Sequence, residues 1–133
     1  MIARTLILIL TALSLSSVAH EGHDKVPGAK LTPRGGQLMD LKHMHLELVA
    51  SKEGLKLYPS GHDEKPLALK DVVLTGNVTF PRGKGTEAVQ FEVQGDAFLA
   101  KVDAKGAHRY TLDVIAKFKD QEDKAQFTVE PNP

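Results

Sequence analysis

The feature that most constrains this chain is a period of two. From Gln37 onward, apolar residues recur at every second position in short runs, and no run after residue 19 carries the 3.6-residue stripe of a helix. In HMHLELVA, Met44, Leu46, Leu48 and Ala50 fall on one side, and His43, His45 and Glu47 on the other. The same alternation groups Leu55 with Leu57, Val72 with Leu74, Val78 and Phe80, and Val89 with Phe91 and Val93. It continues through Phe98, Ala100 and Val102, through Tyr110, Leu112, Val114, Ala116 and Phe118, and through Ala125, Phe127 and Val129. Turn formers separate the runs: Lys52-Glu53-Gly54, Pro59-Ser60-Gly61, the stretch 81–85, Gly95-Asp96, Lys105-Gly106 and the polar stretch 119–123. A strand with one apolar face needs a second layer to cover it. Seven or eight such strands predict an all-β fold, an antiparallel sandwich or small barrel, and two packed sheets make an immunoglobulin-like β-sandwich over residues 37–133 the reading adopted.

Two other segments precede that domain. Residues 1–19 read as a signal peptide: Arg4, then the apolar run Leu6 to Leu15, then the small-x-small pattern Ser17-Val18-Ala19. The run is shorter than the about 20 residues that span a bilayer, so no membrane segment is expected after cleavage. Residues 20–36, with Pro27, Gly28, Pro33, Gly35 and Gly36, read as a flexible leader bearing histidines. The expected location is the periplasm or the outside. Acidic and basic residues balance at 17 each, and only Arg4 falls within 1–19, so the remaining 114 residues carry a formal charge of −1. Such a chain exerts no global attraction for nucleic acid. The basic tip 81–85 lacks interleaved aromatics, which also argues against a nucleic-acid partner. With no Cys, any metal site must use His, Asp, Glu, Met or the chain terminus.

The polar side of the HMHLELVA run carries the chemistry. Residues two apart on a strand lie on one face about 6.8 Å apart. At that spacing His43 and His45 can converge on one ion, with Glu47 as a third oxygen ligand or as an acceptor that fixes a tautomer. Neutral imidazole suits copper(II) and zinc. Met44 belongs to the apolar face and reads as core, and Met39 reads as a buried gap-filler. His20 and His23, in the cluster His20-Glu21-Gly22-His23-Asp24, read as a second group of ligands on an arm. Cleavage after Ala19 would add a terminal amine beside His20. His62, in the turn SGHDEKP, is a further candidate ligand if that turn shares an end of the sandwich with His43; Asp63 is expected to bond its own backbone. His108 reads as a surface or strand-start residue. No nucleophile elbow, phosphate loop or acid–base set is present, so no enzyme is expected.

The stretches HEGHD, RGGQLMDLKHMHLELV, LKLYPSGHDEKPL and AHRYTLDVIAKF, closing on FTVEP, resemble a group of small periplasmic His-containing proteins. These are similar to the metal-linked N-terminal domain of some heavy-metal efflux pump adaptor subunits. The matching motifs here are His45 to Val49 and His62-Asp63-Glu64-Lys65-Pro66. The resemblance implies a β-sandwich linked to metal handling, with a heavy-metal efflux system or another envelope protein as partner. The chain lacks the adaptors' long helical hairpin and lipoyl-like segments, so it cannot bridge a pump alone. The sequence reading is therefore a copper or zinc carrier or buffer. The competing reading is a structural or interaction module of the envelope, using exposed edge strands and no metal.

Overall fold

A computed structural model describes residues 29–32 and 34–131. Among the described residues ten strands form two antiparallel sheets, as a β-sandwich requires. In chain order they are β1 (Ala29–Leu31), β2 (Gln37–Asp40), β3 (His45–Ser51), β4 (Gly54–Ser60), β5 (Val72–Thr79), β6 (Thr86–Val89), β7 (Glu92–Gln94), β8 (Ala97–Ala100), β9 (Tyr110–Phe118) and β10 (Gln121–Val129). The first sheet runs β1-β2-β3-β4-β8-β7, and the second β10-β9-β5-β6. A short 3₁₀ turn, Leu69–Asp71, leads from the first sheet into the second.

Alternation does what the sequence implies. Leu55, Leu57, Leu46, Leu48 and Met44 from the first sheet meet Leu74, Val78, Leu112, Val114, Ala116 and Phe127 from the second, all buried. The strand β9 shows the pattern along its length: Tyr110, Leu112, Val114 and Ala116 are buried, while the residues between them reach the surface. Burying side chains of this kind contributes about 1.5–3 kcal/mol each, which is what holds a disulfide-free sandwich together.

Three expectations change. The run 88–94 is not one strand: the chain leaves β6 at Val89, crosses between sheets at Gln90-Phe91 and resumes as β7. Val89 and Phe91 pack against the core, but Val93, past the crossing, is exposed. Pairing also begins earlier than residue 37. Ala29–Leu31, within the segment read as a leader, pairs with Gln37–Met39. Finally, β3 starts at His45, because Leu41 to Met44 form a tight connection closed by the Leu41 N–H donating to the Met44 carbonyl at 2.9 Å.

Candidate metal centre

The end of the first sheet where β2 stops, β3 starts and β4 stops gathers three ligating side chains. Asp40, the last residue of β2, is the cross-strand partner of His45. On its other side His45 pairs with Ser60, the last residue of β4. Gly61 and His62 follow directly. The chain then reverses in a turn in which Glu64 N–H donates to the Gly61 carbonyl at 2.9 Å and Gly61 N–H to the Lys65 carbonyl at 2.9 Å. Asp63 caps this turn by accepting from Lys65 N–H at 3.1 Å. The turn brings His62 back over His45, with the rings edge to face at 88° and centroids 4.8 Å apart.

The donor atoms form a near-regular triangle. His45 Nε2 is 3.1 Å from Asp40 Oδ1 and 3.1 Å from His62 Nδ1, and His62 Nδ1 is 3.6 Å from Asp40 Oδ1. The point equidistant from the three lies about 1.9 Å from each, against zinc–nitrogen and zinc–oxygen bonds of about 2.0–2.2 Å. A tetrahedral ion with such bonds has ligand–ligand edges of about 3.3–3.4 Å, the range these separations straddle. Asp40, His45 and His62 can thus hold a metal ion.

The outer contacts fix the tautomer that coordination needs. His62 Nε2 lies 2.9 Å from the Lys42 carbonyl oxygen. A carbonyl only accepts, so the proton sits on Nε2 and the Nδ1 lone pair faces the cluster. The Lys42 carbonyl and the His43 amide belong to one peptide unit. That N–H donates to Asp123 Oδ2 at 2.8 Å, and His43 Nδ1 lies 2.7 Å from Asp123 Oδ1. Asp123 is buried at the start of β10, on the opposite sheet. Its carboxylate draws on the peptide N–H, which strengthens the same peptide's carbonyl as an acceptor for His62. A carboxylate–peptide–imidazole chain therefore joins this cluster to the second sheet.

The histidine pair expected on one strand face does not form. His43 precedes β3, in the 41–44 connection, and is committed to Asp123; His45 turns to Asp40 and His62 instead. Glu47 does share the side of His45, but it is 3 % exposed and not free to ligate. It accepts from Arg34 Nη1 at 2.6 Å and from Thr32 Oγ1, and the Arg34 guanidinium stacks on Tyr58 at 4.3 Å. Met44 is fully buried and Met39 packs against the core, so neither offers sulfur to an ion. His62 joins the cluster, while His20 and His23 lie outside the described residues. His108 lines a cleft at the other end of the fold.

Sequence reasoning missed Asp40 and Asp123. Asp40 was legible from pairing, because the 41–44 connection sets it opposite His45. Asp123 carries a different signal: it takes the same inward parity as Ala125, Phe127 and Val129, and a carboxylate at a core position demands a partner. No family model matches the chain, and neither does any curated protein or solved structure. The site's chemistry stands on its geometry alone.

Proposed function

We propose that the protein binds a divalent metal ion at Asp40, His45 and His62 and acts as a periplasmic carrier or buffer in heavy-metal handling. The observation that carries this reading is the triangle of donor atoms with the His62 tautomer set from behind. Two nitrogens, one oxygen and near-tetrahedral edges favour zinc, with copper(II) as the competing ion. Exposure argues for a carrier rather than a structural site: Asp40 and His62 side chains are 45 % and 50 % exposed. A closed structural centre takes four protein ligands, whereas this one leaves a position for an acceptor to attack. His20 and His23 are candidates for that position, since β1 begins with Ala29 opposite Met39, next to Asp40. Export rests on residues 1–19, and the link to heavy metals rests on the resemblance described above.

Calorimetric titration of the chain without residues 1–19 tests the reading. Zinc should bind with unit stoichiometry, and His45→Ala/His62→Ala should abolish that binding, while His20→Ala/His23→Ala weakens it. At a hundredfold excess over the dissociation constant, zinc should stabilise the fold by about 2.7 kcal/mol. No binding of zinc or copper(II), and no shift in melting, would leave the metal-free interaction module as the better reading.

A further inference from the structure

A second site lies at the opposite end of the sandwich. The metal cluster sits near Asp123, which pairs with Ala116 late in β9. A cleft opens where β5 ends and β9 begins, at the Thr79–Thr111 pair. It has a volume of about 500 Å³, within the range of small-molecule sites. Its floor is aromatic: Phe80 and Tyr110 are both buried and pack at 5.7 Å with a 52° tilt. Its rim carries Arg82, Lys84, His108 and Arg109, and among the described residues no carboxylate lines it.

The charges around the rim are unevenly satisfied. Arg109 pairs with Glu130 at 2.8 Å, and Lys105, whose ammonium lies 5.2 Å from the Phe80 ring centre, pairs with Glu87. Among the described residues, neither Arg82 nor Lys84 has a carboxylate within ion-pair distance. Both sit on one closed turn, where Phe80 N–H donates to the Gly85 carbonyl at 3.0 Å and Lys84 N–H to the Pro81 carbonyl at 3.3 Å. Arg82 adopts φ +60°, a left-handed conformation that turn chemistry normally gives to Gly or Asn. An arginine at a left-handed position and a lysine, neither with a carboxylate partner among the described residues, thus share one turn at the cleft.

We propose that this cleft binds a small aromatic anion, its ring against Phe80 and Tyr110 and its carboxylate between Arg82 and Lys84. The apolar lining rewards a flat apolar body, and the two cations, neither with a carboxylate partner among the described residues, are matched by an anion. A neutral isostere keeps the first gain and loses the second. The site is independent of the metal cluster.

Titration of the ¹⁵N-labelled, metal-free protein with 2-naphthoate tests this, with 2-naphthamide as the neutral control. Naphthoate should give saturable shifts confined to residues 79–84 and 106–111, with a dissociation constant of about 1 mM or tighter. Arg82→Ala/Lys84→Ala should weaken binding at least about tenfold, with resonances outside the two loops unmoved, showing an intact fold. High salt should weaken it as well. Equal binding of naphthamide would overturn the proposal by making the cleft merely apolar. Absence of saturable shifts would overturn it outright. So would an oligoglutamate peptide that moves these resonances while naphthoate does not, because the rim would then be a protein-facing basic patch.

Discussion

Replacing Asp123 by asparagine tests the chain of contacts behind the proposed metal ligands. Asp123 accepts two bonds from His43, at 2.8 Å from the amide and 2.7 Å from the ring. A hydrogen bond to a charged group contributes about 1.5–3 kcal/mol. Asparagine retains an oxygen for the amide N–H but loses the charge and one acceptor, so metal-free stability should fall by about 1–3 kcal/mol. Metal affinity should fall as well. Loss of an outer partner of a ligating histidine costs about 10–100-fold, and Asp123 acts through an intervening peptide, which places the expected loss near tenfold, about 1.4 kcal/mol. Competition for zinc against a chromophoric chelator measures the affinity, and urea unfolding of the metal-free protein measures the stability. Asp113→Asn, at a half-buried carboxylate bonded to Gln126 and away from the cluster, serves as the control and should change neither by much. If Asp123→Asn lowers stability but binds zinc within about twofold of the parent, the Lys42–His43 peptide transmits nothing and Asp123 only braces the loop.

Further expectations follow from burial. Glu47→Gln should destabilise the fold by about 1–3 kcal/mol by loosening the Arg34 and Thr32 contacts, yet leave zinc affinity unchanged, which separates clasp from ligand in a single titration. Leu57→Ala, at a fully buried position, should cost about 2–5 kcal/mol in urea unfolding. Burial raises the Tyr110 phenol above its ordinary 10.0, so the folded state holds its proton where the unfolded chain releases it. Stability should thus be independent of this group below about pH 10 and decline as pH rises beyond it, and Tyr110→Phe should remove that step.

The strands were legible because their inward residues are aliphatic or aromatic and their turns are rich in Gly, Pro and polar residues. The site was only partly legible, for a geometric reason. Alternation reports which side a residue faces within a strand, and the proposed ligands lie at strand ends or beyond them. Met44 kept its inward parity although β3 begins one residue later, so the pattern ran on past the strand and carried His43 along with it. The Asp63 bond to its own backbone was readable from local turn chemistry, whereas His62 was a candidate only if its turn shared an end of the sandwich with His43. Glu47 faces the expected side, but nothing in its own run shows that the 32–36 segment folds over it and that Arg34 takes its carboxylate. The crossing at Gln90-Phe91 is invisible for the same reason: parity persists through a change of sheet.

The hairpin turn Lys52-Glu53 has a consequence at its far end. It sets Ser51 against Gly54, and every rung from there to His45 and Ser60 inherits that alignment. Two imidazoles seventeen residues apart in sequence are spaced by a turn about 20 Å away that touches neither. Deleting Lys52 would slip the ladder and throw His62 to the wrong side. Lengthening both arms by two residues would carry the pair outward unchanged. The turn works as a ruler for the two imidazoles, while Asp40 and the Lys42 carbonyl take their places from the β2–β3 connection.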